Sequence, residues 1–160
     1  PATEYELVDT YLGFWFRVLY PHIPDIEAGS GARELRRANA AWARHLGCTF
    51  QGAARAHAER MAASGQLPSD LVVGRWWSPT VRDARVDVLG LRAGRPYLVG
   101  EARWGEGPLG LGDLTDLRAR LQRLPSPVAE PVLVLWGRKG VAPEVRGHAL
   151  GFDVAAAIGE

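Results

Sequence analysis

The central part of the chain alternates apolar and polar residues in three successive runs, a pattern that predicts three β-strands. The first strand begins at Val72 and ends at the tandem tryptophans, and the other two cover residues 84–91 and 97–104. The intervening Ala93-Gly94-Arg95-Pro96 is a turn signal, so the second and third strands should form a hairpin. The sequence therefore predicts a three-stranded antiparallel meander.

Segments with an apolar residue at every third or fourth position predict helices on both sides of this meander. They are residues 10–20, 32–46, 50–64 and 113–124. Gly47 should end the second helix, and Thr49 should cap the third. The apolar run at residues 131–136 predicts a strand buried on both faces, and residues 152–158 predict a last strand or helix. The fold class is therefore α/β, in the order helix, three strands, helix, strand, with an extra helical segment at the amino end.

The predicted hairpin brings two acidic residues together. If it centres on Gly94, Asp87 on the second strand faces Glu101 on the third, and Leu91 faces Tyr97. Facing side chains in an antiparallel pair stand about 5 Å apart at Cβ, so the two carboxylates would repel each other. A cation should therefore lie between or beside them.

Composition sets only broad limits on function. The formal net charge is +1 over 160 residues, so any nucleic-acid contact must rest on a local basic patch. Cys48 is the only cysteine, which excludes an intrachain disulfide and fits a reducing compartment. No apolar run approaches the roughly 18 residues of a membrane span, and no signal-peptide pattern opens the sequence. We expect a cytoplasmic domain without membrane contact.

Common nucleotide-binding and catalytic motifs are missing from the sequence. There is no GxxxxGK[ST] phosphate loop, no GxGxxG after a strand and no GxSxG. The four histidines are scattered along the chain, so their spacing predicts no zinc site. The acidic pair of Asp87 and Glu101 is left as the candidate site.

The order of Asp87, a turn and then Glu101-Ala102-Arg103 resembles the PD-(D/E)XK nuclease superfamily. In that superfamily, an acid on one strand and an E-x-K motif on the next hold Mg²⁺. The resemblance implies a restriction-endonuclease-like core, which has the same helix, three-stranded meander, helix and strand order. It also implies that Asp87, Glu101 and the carbonyl of Ala102 would bind Mg²⁺, with Arg103 stabilising charge in the transition state.

Short blocks spread over most of the chain narrow this resemblance. They are FWFRVLYP at 14–21, GRWW at 74–77, VDV at 86–88 and GEARW at 100–104. These blocks look like the uncharacterised nuclease-like domain at the carboxyl end of archaeal-type AAA ATPases. The resemblance implies upstream ATPase and winged-helix domains, which fits a chain that begins at Pro1 rather than methionine. Residues 1–30 would then be an amino-terminal helical segment and linker, including the winged-helix tail as a strand at residues 4–9, and residues 31–160 the nuclease-like domain.

Three positions depart from the pattern of that family. It usually has lysine where this chain has Arg103, glutamate where it has Arg85, and an acid where it has Gln51 in the first core helix. Arginine is larger than lysine, planar and always protonated, so it is not a neutral replacement. In the hairpin register Arg85 faces Arg103 and lies diagonal to Glu101, while Arg103 lies diagonal to Asp87, within reach of long side chains. The two arginines would then neutralise the carboxylates and weaken Mg²⁺ binding.

Arg75, Trp76 and Trp77 end the first strand. Arg75 and Trp77, together with Arg85, are candidates for nucleic-acid contacts through stacking and phosphate binding. The alternative is that the tryptophans pack over the sheet edge while Arg75 covers them.

Two functions follow as expectations. The first is an accessory domain of an ATPase that is catalytically impaired and binds DNA or a partner protein. The alternative is an active Mg-dependent endonuclease that hydrolyses phosphodiester bonds in DNA. A purely structural oligomerisation domain, suggested by the tryptophan content, has no motif behind it.

Overall fold

The computed structural model describes residues 7–78, 80–81, 84–125 and 130–159, apart from the Leu35 side chain. Of the strand predicted at residues 4–9, residues 4–6 lie outside the described residues and residues 7–9 form no regular element. The chain divides into two compact units, Pro1–Thr49 and Phe50–Glu160. The predicted domain boundary between residues 30 and 31 stays a prediction.

The amino-terminal unit is helical. Its elements are α1 (Thr10–Phe14), a π-helix (Trp15–Leu19), a 3₁₀ turn (Tyr20–His22), α2 (Ile23–Glu27), α3 (Gly31–Arg37) and the start of α4 (Asn39–Ala63). Asp9 caps α1, since its carboxylate accepts a hydrogen bond of 2.8 Å from the Leu12 amide. The single α-helix predicted for residues 10–20 is therefore wrong, because the helical hydrogen-bond pattern changes type at Trp15.

Helix α4 is continuous from Asn39 to Ala63, so the break predicted at Gly47 is wrong. A glycine in a helix interior costs only about 1 kcal/mol relative to alanine, which packing of the helix can offset. Ala54 and Ala58 are fully buried in the core, and Met61 is nearly so. This apolar stripe stabilises the helix more than Gly47 weakens it.

The second unit contains a five-stranded mixed sheet, which confirms the predicted α/β class. Its strands, in spatial as well as sequence order, are β1 (Val72–Trp77), β2 (Arg85–Arg92), β3 (Arg95–Arg103), β4 (Val132–Gly137) and β5 (Leu150–Phe152). Strand β2 runs antiparallel to both β1 and β3, whereas β4 runs parallel to β3 and β5 runs parallel to β4. Helix α5 (Leu111–Leu121) connects β3 to β4, while a 3₁₀ turn (Pro143–Val145) precedes β5 and α6 (Val154–Ile158) follows it.

Each face of the sheet buries its own apolar cluster, as alternating side chains require. The cluster that includes α4 contains Phe50, Ala54, Val88, Leu98, Ala102 and Trp136. The cluster that includes α5 contains Val86, Leu89, Val99, Leu114, Leu117 and Leu135. Within the described residues, no helix combines the length and the apolar character needed to cross a membrane.

Gly100 allows β3 to lie against the buried Trp136 ring. A Cβ at this position would be 2.5 Å from Trp136 Cζ3 and 3.1 Å from the Val134 carbonyl oxygen. We expect Gly100→Ala to lower the free energy of unfolding by about 3 kcal/mol, because neither the ring nor the backbone can move away freely. Urea unfolding measures this loss. Gly107→Ala, whose Cβ would meet no atom within 4 Å, is the control, and an equal loss in both variants would contradict the expectation.

Candidate functional site

The β2–β3 hairpin has the predicted register next to the candidate site but not at its turn. Three consecutive pairs keep that register: Val88–Gly100, Leu89–Val99 and Gly90–Leu98. Leu91 then pairs with Pro96 and not with Tyr97, so this part of the prediction is wrong. The turn consists of Ala93 and Gly94, which both have positive φ, 49° and 75°, as a tight two-residue hairpin turn requires. The extra residue on β3, Tyr97, absorbs the difference between this turn and the register of the strands.

A β-bulge places Asp87 where a regular strand would not. The flanking pairs of β1 and β2 are Gly74–Leu89 and Trp76–Val86. Two residues of β2, Asp87 and Val88, therefore lie opposite the single residue Arg75 of β1. A bulge bends the strand and changes the direction of its side chains, and bulges are frequent beside active sites.

Asp87 leaves the regular ladder and is held by β3 and α4. Its Oδ2 accepts a hydrogen bond of 3.1 Å from the Ala102 amide, and its main-chain oxygen accepts one of 3.3 Å from Arg55 Nη1. The side chain thus fixes the end of the hairpin that carries Glu101.

Burial raises the pKa of Asp87 above its ordinary value. The Ala102 amide hydrogen bond and the charges of Arg85, Arg120 and Arg55 act in the opposite direction and offset only part of this effect. The folded protein therefore holds the Asp87 proton more tightly than the unfolded chain does.

This raised pKa predicts how Asp87→Asn changes stability with pH. The contribution of Asp87 to stability is fully present below its unfolded pKa and is lost as the pH rises through the folded pKa. At neutral pH the buried charge therefore costs free energy, and we expect Asp87→Asn to be more stable than the unaltered chain at pH 7. Urea unfolding should show this advantage shrinking toward about pH 3, because the aspartate is then neutral in both states. The exposed Asp116→Asn is a control for the loss of one negative charge, and a destabilised Asp87→Asn at pH 7 would contradict the expectation.

Glu101 is a buried carboxylate that faces two guanidinium groups. The residue is only 4% exposed, and its Oε1 accepts a hydrogen bond of 2.7 Å from Arg103 Nη2. Oε2 lies 3.3 Å from Arg120 Nη1, close enough for an ion pair. The same Oε2 is buried and has no hydrogen-bond partner among the described residues. Both oxygens therefore lie beside positive charge, but only one has a well-directed hydrogen bond.

Arg103 also connects Glu101 to helix α5. Its Nη1 donates to Asp113 Oδ1, and Asp113 Oδ2 accepts a hydrogen bond of 2.7 Å from the Gly110 amide at the start of that helix. Burial alone would lower the pKa of Arg103, but its interactions with Glu101 and Asp113 outweigh burial and raise it. Asp87, Glu101, Arg103, Asp113 and Arg120 together are called the carboxylate site below.

The predicted arginine contacts are wrong in their partners. Arg103 binds Glu101 on its own strand, and not Asp87 across the hairpin. The described ion pairs of Glu101 are with Arg103 and Arg120, not with Arg85. Regular pairing of β2 with β3 begins at Val88–Gly100. The bulge at Asp87 interrupts β2 just before this pair, so the diagonal positions predicted for the two arginines and the two acids do not form.

The remaining predicted residues lie near this site without joining it. Gln51 is half-buried on α4, one turn before Arg55, and makes no hydrogen bond within the described residues. Arg85 pairs with Trp77 at the end of β1, and its charge offsets part of the rise in the pKa of Asp87 that burial causes. Arg75 is exposed opposite the bulge. Their catalytic and nucleic-acid-binding roles stay predictions.

Sequence reasoning missed three residues that complete the carboxylate site and its surroundings. They are Arg55, Asp113 and Arg120. Asp113 and Arg120 are seven residues apart and therefore lie on the same side of α5, two turns apart, next to the buried Leu114 and Leu117. Two charged residues at this spacing beside an apolar stripe are the sequence signal that could have identified Asp113 and Arg120.

A second group of metal-ligand side chains occurs in the amino-terminal unit, although histidine spacing predicted none. His22, Asp25 and Glu34 each bring one ligand atom within 4.8 Å of the others. Glu34 is buried, and its Oε1 is bonded to Arg37 at 3.0 Å and Arg33 at 3.2 Å. Because these two guanidinium groups already neutralise the carboxylate, the group carries no metal assignment.

Comparison with known proteins shows the family. A family model, DUF234, described as archaea bacterial proteins of unknown function, matches residues 15–116. This is more than half of the chain. The chain belongs to the DUF234 family. The matched region includes Asp87, Glu101, Arg103 and Asp113, while Arg120 follows it.

A longer archaeal protein is similar to this DUF234 chain. It is an uncharacterised protein, MJECL04, of Methanocaldococcus jannaschii, with 26% identity over 103 residues. The alignment covers 63% of this chain and 22% of the relative, so the chain spans about a fifth of that protein's length. No solved structure matches the chain.

Proposed function

We propose that this chain is a nuclease-like accessory domain that binds DNA but has lost metal-dependent cleavage. The observation that carries this proposal is the arrangement at Glu101, where one carboxylate oxygen is bonded to Arg103 and the other lies 3.3 Å from Arg120. A catalytic carboxylate would need those oxygens for a metal ion. Here they face guanidinium groups.

The proposed nuclease kinship concerns the core of the second unit. Helix α4, the antiparallel meander β1–β3, helix α5 and the parallel strand β4 occur in the order that a restriction-endonuclease-like core has. Asp87 and Glu101 lie on the second and third strands of the meander, which supports the proposed correspondence with the two acids of a PD-(D/E)XK site. Arg120 lies in α5 and its charge reaches both acids.

The carboxylate site as arranged does not fit Mg²⁺. A hard cation needs several oxygen ligands at about 2 Å, including waters, around carboxylates that are free to bind it. Asp87 Oδ2 is bonded to the Ala102 amide, and both oxygens of Glu101 face cations. Positive charge at this distance repels a divalent cation as well as occupying its ligands. We therefore assign no metal-dependent step to these residues.

DNA binding is supported by the basic residues at one end of the sheet. Antiparallel pairing places Arg85 of β2 and Trp77 of β1 at the end where β3 finishes with Arg103. Arg138 follows β4 at the same end, and its guanidinium carbon lies 4.9 Å from the centre of the Trp104 ring. Trp77 and Trp104 are half-buried, and cations next to accessible aromatic edges suit a phosphate backbone and its bases.

The proposed context is an ATPase that carries this domain together with a winged helix. The relative from M. jannaschii is several times longer than the aligned region, which suits a domain that works inside a larger protein. The ATPase and winged-helix domains are partners proposed from the resemblance of the sequence blocks.

DNA binding and cleavage are tested together with labelled duplex DNA. We expect binding in fluorescence anisotropy that weakens with added salt, and DNA that stays intact in Mg²⁺ or Mn²⁺. Failure to bind at low salt would reject the accessory role. Cleavage that is lost in Asp87→Asn would instead support the second candidate.

The second candidate is an active Mg-dependent endonuclease, favoured by the orphaned Oε2 of Glu101. A buried carboxylate oxygen without a hydrogen bond is costly and is often a sign of a missing ligand. A metal could satisfy it only if Arg120 moved away. The cleavage assay with Asp87→Asn separates this candidate from the accessory domain.

A further inference from the structure

A pocket of about 310 Å³ lies beside the last two strands of the sheet. Its lining includes Lys139 and Gly140 after β4, Arg146, Gly151 and Phe152 of β5, and Asp153 directly after β5. Nothing in the carboxylate site uses these residues. The pocket is thus a separate feature of the second unit.

The pocket has a net positive charge. Lys139 and Arg146 are exposed, and neither has an acidic side chain within ion-pair distance in the part of the chain that the structure describes. The opposing charge comes from Asp153, whose Oδ1 accepts a hydrogen bond of 3.0 Å from the Ala156 amide as the cap of α6. Among the described residues, the pocket is therefore lined by two cations without an acidic partner and by one carboxylate that is already engaged.

The pocket and the carboxylate site open at the same end of the sheet. Strands β3, β4 and β5 are parallel, and their last pairs are Arg103–Gly137 and Trp136–Phe152. The carboxyl ends of parallel strands are where α/β proteins commonly bind ligands. With strands about 4.8 Å apart, the end of β5 is about 10 Å from the end of β3 along this edge.

We propose that this pocket binds a phosphate group through Lys139 and Arg146. A lysine ammonium provides a compact point charge, and an arginine provides a fork of donors that matches phosphate oxygens. The phosphate can come from a nucleic-acid backbone or from a free phosphate compound, and the first source rests on the proposed function. A backbone running along the sheet end would pass from the carboxylate site to this pocket within a few nucleotides, since each strand of a duplex carries one phosphate per about 3.4 Å of helix axis.

The pocket itself is tested with inorganic phosphate alone. In amide NMR spectra of the unaltered protein, phosphate should shift the Gly140 and Gly151 resonances in a saturable way. The same shifts should be lost in a Lys139→Gln, Arg146→Gln double variant. An Arg92→Gln, Arg95→Gln variant also removes two positive charges and serves as the charge-matched control. Because these exposed residues flank the hairpin turn at the other end of β3, this variant should respond like the unaltered chain. Absence of saturable shifts, or equal shifts in the pocket variant, would overturn the proposal.

The source of the phosphate is tested with DNA and the same variants. If it is the backbone, the pocket variant should bind duplex DNA about tenfold more weakly and lower the slope of log affinity against log salt by about 1–2, while the Arg92/Arg95 variant should not. If DNA binds all forms equally, or binds none, phosphate shifts at Gly140 and Gly151 still support the pocket with a free phosphate compound as its ligand. DNA binding by none of the forms would reject the proposed function while leaving the phosphate result unaffected.

Discussion

An Arg103→Lys, Arg120→Gln double variant is expected to bind Mn²⁺ at least about tenfold more tightly than the unaltered chain, a difference of about 1.4 kcal/mol. Arg120→Gln removes one positive charge from beside Glu101 Oε2, and Arg103→Lys replaces the planar guanidinium at Oε1 with a compact ammonium. Two unit charges 4 Å apart interact by about 4 kcal/mol in a medium of intermediate dielectric, so even a strongly screened guanidinium has a large effect on a divalent ion. Isothermal titration calorimetry measures the affinity.

Two further variants make this experiment specific to the carboxylate site. Adding Asp87→Asn to the double variant should remove the new binding, because it removes the second acid. Arg118→Gln is the matched control, since it removes an exposed arginine from the same helix, and it should leave Mn²⁺ affinity unchanged. Equal Mn²⁺ affinity in the unaltered chain and the Arg103/Arg120 variant would contradict the view that guanidinium groups block the site.

Arg120→Gln alone is expected to lower the free energy of unfolding by about 2 kcal/mol, between the values for surface and fully buried ion pairs. Glu101 is 4% exposed and would retain a single cationic partner. The Arg120 side chain is itself 25% exposed, which places the expected loss below that of a fully buried pair. Urea or thermal unfolding measures it.

The cause of this loss can be isolated by a double-mutant cycle. In a Glu101→Gln background the buried charge is absent, so Arg120→Gln should cost less than about 0.5 kcal/mol. An equal cost in both backgrounds would mean that Arg120 stabilises the fold through packing of its aliphatic part or through Asp87, and not through Glu101.

The position of Glu101 could be predicted from the sequence because local signals determine the hairpin. Alternating strands and a glycine turn set the register of Leu89 against Val99, and this register carries Glu101 to the α5 side of the sheet. The turn was misplaced by one residue, since its two positive-φ residues, Ala93 and Gly94, require a compensating extra residue on β3.

The charge partners of the acids could not be predicted because they depend on tertiary structure. Nothing in the local sequence distinguishes the bulge at Asp87 from a regular strand. The approach of Arg120 to Glu101 depends on how α5 packs on the sheet through Leu114 and Leu117. Arginines do lie next to Glu101, but its second cationic partner is Arg120, whereas Arg85 was predicted.

We propose that the carboxylate site holds guanidinium groups in place of a metal ion. Calorimetric titration of the unaltered chain with Mg²⁺ and Mn²⁺, beside Asp87→Asn, tests it most directly. We predict the same heat of dilution for both proteins. Saturable binding by the unaltered chain that disappears in Asp87→Asn would contradict it.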